Sequence, residues 1–109
     1  MLEEQEFKKK ADEALTVLNR QLIGASDDYG FEVDFNSGAL GVEFEDPPAK
    51  FVISPNTPVR QIWVSANVKS YKLDWNEATG KFVLPATGQS LKQLMADAIG
   101  RHLGEEVEL

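Results

Sequence analysis

Carboxylates are the side chains of this sequence with the most capacity for chemistry. The 109 residues include 18 Asp and Glu against 11 Lys and Arg, with one histidine and no cysteine. Without cysteine, Cys–His nucleophilic catalysis and thiolate zinc sites are excluded, and one histidine cannot build a His-rich metal site. Carboxylate oxygens are hard ligands that suit divalent cations, with water completing the coordination. The composition therefore predicts weak and poorly selective cation binding by exposed acids.

The single histidine, His102, falls in the apolar stripe of a predicted C-terminal helix. A Ser–His–Asp arrangement would have to use it. An imidazole near the C-terminal end of a helix more often packs or interacts with the helix dipole. The glycines are isolated in the sequence, so none belongs to a phosphate-binding loop. These patterns do not favour an enzyme, and no catalytic residue is predicted.

The net charge of −7 limits the classes of partner that the chain can be expected to bind. Nucleic acid is disfavoured because its backbone is bound by clustered Lys and Arg. Cations and basic protein surfaces are the natural partners of an acidic chain. The alternative interpretation is that the acidity serves only solubility.

Length and hydropathy predict one domain, residues 1–109, with a single modest core. The chain has no run that resembles a signal peptide and none near the roughly 20 apolar residues of a membrane span. Lack of cysteine fits a reducing compartment. We therefore expect a monomeric cytoplasmic protein with no membrane or nucleic-acid partner.

The first element that must position the acids is a helix over residues 3–22. Gly24 and the cluster Ser26-Asp27-Asp28 predict its end. Apolar residues recur within it at helical spacing and form one stripe. They are Phe7, Ala11, Ala14, Leu15, Leu18 and Leu22.

After the helix, apolar residues alternate with polar ones over residues 31–36 and 40–45, which indicates two strands. With Ser37 and Gly38 as a two-residue loop, one register puts all their apolar side chains on one face. The other face is then acidic, with Glu32 opposite Glu43 and Asp34 next along it.

This acidic face has two interpretations. Like charges opposed across strands destabilise a sheet, so a bound cation would relieve the repulsion and stabilise the protein more than monovalent salt does. The alternative is that the charges only prevent edge-to-edge pairing of the hairpin. Asp27 and Asp28 either join the cluster or merely end the helix.

Four further strands are predicted at residues 50–54, 61–65, 71–75 and 81–84. Pro55 and Pro58 predict a turn between the first two of these. With a helix at each end, the expected fold class is α+β, two helices packed on one face of a roughly six-stranded antiparallel sheet.

The second helix is predicted to open at Ser90, which forms a capping box with Gln93, and to end at Gly104. Gly100 lies inside this helix, where glycine costs about 1 kcal/mol relative to alanine, and so indicates close packing. Val107 and Leu109 alternate in the last residues, which predicts that this tail packs back beside the helices.

Trp63 is a second candidate site, separate from the acids. If Ile62 and Val64 face the core, Trp63 and Gln61 face the opposite side of the sheet. An exposed tryptophan on a rigid sheet is typical of a binding hot spot. The alternative is the opposite parity, with Trp63 inside.

Several passages of the chain resemble the frataxin family, bacterial frataxins in particular. The most specific is residues 51–75, FVISPNTPVRQIWVSANVKSYKLDW. Residues 35–40, FNSGAL, also match, as do Glu6-Phe7 with Ala11-Asp12 and the Ser90-Leu91 start of the last helix. The resemblance covers nearly the whole chain.

The resemblance implies a helix–sheet–helix sandwich that binds iron weakly on an acidic ridge and modulates iron–sulfur cluster assembly. Its implied partners are the cysteine desulfurase and the iron–sulfur scaffold protein, and its implied ligand is Fe²⁺ or Fe³⁺, for which other divalent cations substitute. The predicted partner-binding residues are Gln61, Trp63 and Ser54. The predicted metal-binding residues are Asp12, Glu13, Asp27, Asp28, Glu32, Asp34 and Glu43.

The chain departs from the family pattern at several positions. Where family members often carry acids late in the first helix, this chain has Asn19, Arg20, Ile23 and Gly24. Phe82 replaces a tryptophan of the sixth strand. The missing acids of the first helix count against a ferroxidase. Two alternatives to a role in modulating cluster assembly are nevertheless kept: a ferroxidase or iron-storage activity, and an acidic protein-binding adaptor with no metal role.

Overall fold

Two helices pack on one face of a six-stranded antiparallel sheet in the computed structural model, which describes residues 2–45, 48–66 and 69–109. The strands follow one another across the sheet in chain order, from β1 at one edge to β6 at the other. The predicted α+β fold class is confirmed. The elements are α1 (Glu4–Tyr29), β1 (Phe31–Asn36), β2 (Ala39–Glu45), β3 (Pro48–Asn56), β4 (Gln61–Ala66), β5 (Lys69–Asn76), β6 (Lys81–Val83) and α2 (Leu91–Leu103).

The first helix is longer than predicted, because it continues through the residues that were expected to end it. Ala25 is buried and extends the apolar stripe by a turn, so helix burial continues past the predicted boundary. Gly24 faces open space and costs the helix only about 1 kcal/mol. Ser26 donates its hydroxyl to the carbonyl three residues earlier, at 2.8 Å, without leaving the helix. The helix ends at Gly30, which adopts the left-handed conformation with φ 71°.

The β1–β2 hairpin has the predicted register. Ser37 and Gly38 form the loop with φ of 54° and 80°, the pair of positive values that a type I′ turn requires. Phe31 lies opposite Phe44, and Glu32 lies opposite Glu43. The apolar face of the hairpin therefore points to the helices and its acidic face points to solvent.

The predicted turn between the third and fourth strands begins later than expected. Pro55 still belongs to β3, where it lies opposite Ile62 of β4. A 3₁₀ turn over Thr57–Val59 then makes the connection. Arg60 closes it with φ 56° and donates from its side chain to the carbonyls of Leu2, at 3.1 Å, and Thr57.

The core lies between the sheet and the helices, and every fully buried side chain among the described residues is apolar. The second helix begins as predicted: Ser90 accepts from the Gln93 backbone, and the Gln93 side chain accepts from the Ser90 backbone. It ends at Gly104, with φ 74°. The buried face of this helix consists of Leu91, Leu94, Met95 and Ile99.

The C-terminal tail packs against the core, as predicted. Val107 and Leu109 are partly buried against it, and the Glu108 backbone N–H donates to the Tyr29 hydroxyl at 3.4 Å. A Cβ added to Gly100 would lie 2.7 Å from the Glu105 carbonyl oxygen. The close packing predicted at this glycine is thus a contact between α2 and the start of the tail.

Candidate functional site

Trp63 lies on the face of the sheet that the helices leave uncovered. Its neighbours in β4, Ile62 and Val64, are fully buried, whereas 38% of Trp63 is exposed. The predicted outward parity is confirmed. Alternation along a strand requires this arrangement once its two neighbours enter the core.

A chain of polar contacts fixes the indole of Trp63. Its Nε1 donates to the Gln61 side chain at 3.0 Å, and Gln61 in turn donates to the Asp74 carboxylate at 3.0 Å. The Lys72 ammonium lies 4.9 Å from the centre of the Trp63 ring, which makes a cation–π contact. These contacts hold the indole in one orientation.

Lys72 and Asp74 are functional candidates that the sequence analysis missed. The pairing of β4 with β5 puts Lys72 opposite Trp63, and Asp74 opposite Gln61. The alternating pattern of β5 gives the parity of these residues but not their register, which depends on the loop. On the other side, Ser54 of β3 lies opposite Trp63, as expected of a residue of the same surface. A cavity of about 220 Å³ is lined by Ser54, Trp63 and Lys72 together with neighbouring residues of β3, β4 and β5.

The outward face of the β1–β2 hairpin carries the predicted acids. Glu32 and Glu43 are opposed, and Asp34 lies opposite Gly41. Glu43 also pairs with Lys50 of β3 at 3.5 Å, with both side chains 58% exposed. An exposed pair of this kind contributes about 0 to 1 kcal/mol. Lys50 therefore offsets part of the repulsion that the sequence predicted between Glu32 and Glu43.

Asp34 has a fixed carboxylate. The Asn36 side-chain amide, two residues along the same face, donates to Asp34 Oδ1 at 2.7 Å. The contact orients the carboxylate without neutralising its charge. The sequence pattern predicts this neighbour, because residues two apart in a strand share a face.

Asp27 and Asp28 lie in the last turn of α1, a consequence of the extended helix. The C-terminal end of a helix carries a partial negative charge, so carboxylates are unfavourable there. The last turn contains no basic residue. Within the described ranges, none of Asp27, Asp28, Glu32 and Asp34 forms an ion pair with a lysine or arginine. Negative charge thus accumulates where α1 passes into β1.

Asp12 and Glu13 do not both face the acids of the α1–β1 junction. Consecutive helical residues project about 100° apart, so the two side chains face different sides of α1. Glu13 lines a groove with Trp75 of β5 and Lys81 of β6, at the opposite edge of the sheet from β1. Both acids are exposed.

No group of three or more His, Cys, Asp or Glu residues in the described part of the chain is arranged to hold a metal ion. The acids of the described ranges therefore provide no ready coordination shell of three protein ligands. Exposed carboxylates in this arrangement suit cations held largely through water, since hard divalent cations keep water ligands readily.

His102 packs as the sequence predicted. Its ring centre lies 4.4 Å from that of Phe44 and 5.9 Å from that of Phe51, on the core side of α2. With Arg101, it also places basic groups in the last turn of the helix, where the dipole favours them. These contacts account for His102 as a packing residue.

Comparison with known proteins identifies relatives over most of the chain. The sequence profile of the Frataxin-like domain matches residues 1–105. The chain is 31% identical over 98 residues to the iron-sulfur cluster assembly protein CyaY of Azotobacter vinelandii, covering 88% of each chain. It is 32% identical over 82 residues to the CyaY protein of Tolumonas auensis, covering 75% of this chain and 76% of that one.

A solved structure has the same architecture. The frataxin of Psychromonas ingrahamii superposes with a TM-score of 0.76 at 24% identity, covering 98% of this chain and 97% of that chain. At this identity the likeness concerns the fold. No helix among the described residues has the length and hydropathy needed to span a membrane.

Proposed function

The chain belongs to the frataxin-like family, and from that premise we propose that it is an iron-binding accessory protein of iron–sulfur cluster assembly. Its relatives from Azotobacter vinelandii and Tolumonas auensis carry cluster assembly in their names. The protein holds Fe²⁺ or Fe³⁺ weakly on its acidic surface. It docks on the cysteine desulfurase and scaffold complex as a cytoplasmic monomer and modulates cluster synthesis.

The observation that carries this proposal is the uncompensated negative charge at the α1–β1 junction. Asp27 and Asp28 lie at the negative end of a helix whose last turn has no basic residue, and the outward face of β1 adds Glu32 and Asp34. Such an arrangement lowers the stability of the protein when no cation or partner is bound. A cation or a basic protein surface bound there relieves the repulsion, so binding is coupled to stability.

Two surfaces serve docking in this proposal. The acidic junction approaches a basic surface of the desulfurase, where complementary charge raises the association rate. Gln61, Trp63 and Ser54 contact the scaffold protein on the uncovered face of the sheet. The hydrogen-bonded indole supports this role, since rigid exposed aromatic residues are favoured at interface hot spots.

Calorimetry with the cysteine desulfurase of a bacterial iron–sulfur system tests the docking step. We expect saturable binding that weakens from low to moderate salt, because surface charges are screened. The double reversal Glu32→Lys with Asp34→Lys should weaken binding by about tenfold or more. The matched control, Glu77→Lys with Glu106→Lys, makes the same change in net charge at exposed positions outside the junction. Unchanged affinity of the first variant would contradict the proposed orientation.

Thermal unfolding with Mn²⁺, a divalent cation that remains soluble in air, tests the metal step. Against NaCl of equal ionic strength, a tenfold excess over Kd should add about 1.4 kcal/mol of stability. The variant Asp27→Asn with Asp28→Asn should lose this gain. The control Glu105→Gln with Glu106→Gln should keep it. An equal gain in stability with both salts would contradict metal binding at this site, whereas the proposed docking on the desulfurase would be unaffected.

A second candidate function is an acidic adaptor with no metal role. The ion pair between Glu43 and Lys50 favours it, as does the lack of a three-residue ligand group in the described ranges. The adaptor predicts that ferrous iron leaves both desulfurase affinity and the amide chemical shifts of residues 27–45 unchanged under anaerobic conditions. Iron-specific shifts confined to that segment would exclude it.

A further inference from the structure

A groove of about 470 Å³ lies between α1, the β5–β6 edge of the sheet and the first turn of α2. Its floor is apolar, with Leu18, Phe82 and Leu91 nearly fully buried beneath it. Val17 borders it from α1 and is 50% exposed, so it adds an accessible apolar side chain to the rim. The volume falls within the range of about 300 to 1,000 Å³ typical of small-molecule sites.

The charge around this groove is opposite to that of the protein. Three lysines line it, Lys10 of α1, Lys81 of β6 and Lys92 of α2, against a single acid, Glu13. The chain as a whole has a net charge of −7. Lysines gathered around an apolar floor in an acidic protein create a local site for anions.

Lys92 is placed against the ordinary preference of helices. It lies in the first turn of α2, where the helix dipole is positive and acids are favoured, and that turn contains no acid. A departure from local preference of this kind is typical of functional positions. The helix end and the ammonium together leave positive potential facing the groove.

Trp75 adds an aromatic wall with an unsatisfied donor. The Lys10 ammonium lies 5.4 Å from the centre of its ring, and Phe82 packs edge-on against it at 5.2 Å. Its indole N–H is covered from solvent and has no hydrogen-bond acceptor among the described residues. A buried donor without a partner is destabilising, so a ligand that supplies an acceptor there is favoured.

We propose that this groove binds an amphipathic organic anion, a small molecule with a flat aromatic body and a carboxylate group. The aromatic body lies on Val17 and the Trp75 ring, and the carboxylate pairs with Lys81 and Lys92. A small rearrangement of the side chains around Trp75 gives its N–H access to an acceptor on the ligand. The site lies on the helix side of the sheet, whereas Trp63 lies on the other side and the acidic junction lies at the far edge.

Titration of ¹⁵N-labelled protein with 2-naphthoate tests this site, with 2-naphthamide as the uncharged counterpart. The chain has two tryptophans, so Trp63→Phe assigns the indole signal of Trp75. We expect saturable shifts of that signal and of the Val17 and Leu91 amides. The amide counterpart should bind about three- to tenfold more weakly, since it forms no ion pair with the lysines.

Matched lysine variants separate a specific site from general attraction. Lys81→Gln with Lys92→Gln should weaken naphthoate binding about three- to tenfold. Lys8→Gln with Lys69→Gln removes the same charge at exposed positions outside the groove and should leave affinity unchanged. Val17→Ser should weaken both naphthalene compounds alike, because it removes apolar contact.

Three results would overturn the proposal. One is no saturable shift of the Trp75 indole signal at millimolar naphthoate. Another is equal weakening by the two lysine pairs. The third is a set of shifts centred instead on the smaller cavity lined by Lys69, Arg101 and His102.

Discussion

At the residue scale, two glycines within helices have surroundings that give an added methyl group opposite effects. At Gly24 of α1, a Cβ would meet no atom within 4 Å, so Gly24→Ala should raise the free energy of unfolding by up to about 1 kcal/mol. At Gly100 of α2, the Cβ would lie 2.7 Å from the Glu105 carbonyl oxygen, which is backbone and cannot swing aside. Gly100→Ala should lower the free energy of unfolding by about 1 to 3 kcal/mol. Urea unfolding of both variants measures these changes.

A stabilising effect of both glycine substitutions would contradict the tail contact. Helix propensity alone predicts that alanine stabilises both positions. Only the approach of the tail to α2 makes Gly100 different. The sequence indicated that this glycine marks close packing, and the structure identified the Glu105 carbonyl as the neighbour.

Tertiary contacts also change the electrostatic environment of a single residue, Glu43. The sequence predicts that Glu43 and Glu32 are two opposed acids. In the structure, Lys50 approaches Glu43 from the next strand. Strand β3 lies beyond the hairpin, and its register with β2 depends on the connection between them. The local pattern therefore predicted the repulsion and did not predict its partial compensation.

At the scale of elements, the β1–β2 turn holds a residue that is suboptimal for its backbone. Ser37 has φ 54°, and Asn followed by glycine is the preferred pair for a type I′ turn. Ser37→Asn should stabilise the protein by about 0.5 kcal/mol, since asparagine tolerates the left-handed region better. Ser37→Val should destabilise it, because a β-branched residue does not suit positive φ. Thermal unfolding of the pair tests this, and the reverse order would argue against the type I′ turn.

The two ends of α1 offer a matched electrostatic prediction. Asp27→Asn with Asp28→Asn removes charge from the negative end and should stabilise the metal-free protein by about 0.3 to 1 kcal/mol per residue at low salt. Glu4→Gln with Glu6→Gln removes charge from the positive end, where both acids lie in the first turn, and should destabilise it. Urea unfolding at low and high salt measures both.

High salt should reduce both effects of these α1 variants, because the dipole interaction is screened. If the two double variants changed stability in the same direction, net charge and not the helix dipole would be responsible. That result would also weaken the argument that the α1–β1 junction is held under electrostatic repulsion.

At the scale of the whole molecule, the tail joins elements that are distant in sequence. Val107 and Leu109 pack on the core, and the Tyr29 hydroxyl at the end of α1 accepts from Glu108. Deleting residues 106–109 should lower the free energy of unfolding by about 1 to 3 kcal/mol, because apolar surface is re-exposed. Glu106→Ala with Glu108→Ala, two exposed acids of the same segment, should change it by less than about 0.5 kcal/mol. Thermal unfolding of both variants and the full chain provides the measurement.

A loss of stability in the Glu→Ala control equal to that of the deletion would show that charge, and not apolar packing, gives the tail its effect.

The molecule has three separate surfaces of different character. The uncovered sheet face carries Trp63, the α1–β1 junction is acidic, and the groove beside β6 is basic. Their separation allows each proposal to be tested without disturbing the other two.

The sequence by itself determined the features that depend on short-range periodicity and turn chemistry. It predicted the α+β class, the hairpin register and the capping box at Ser90, all of which the structure confirmed. It favoured the outward parity of Trp63 with the inward parity as the alternative, and the structure places the side chain outward. Each follows from residues close together in the chain, because strand alternation, a two-residue loop and a helix cap act within one element or hairpin.

Only the tertiary structure decided which elements meet. It extended α1 to Tyr29, because core burial of Ala25 outweighs the helix-ending tendency of Gly24 and Ser26. It separated Glu13 from the acids of β1, and it gathered lysines from three elements around one groove. The physical reason is common to these cases. Local preferences are worth about 1 kcal/mol or less, whereas burial and the packing of distant segments contribute more and depend on the whole chain.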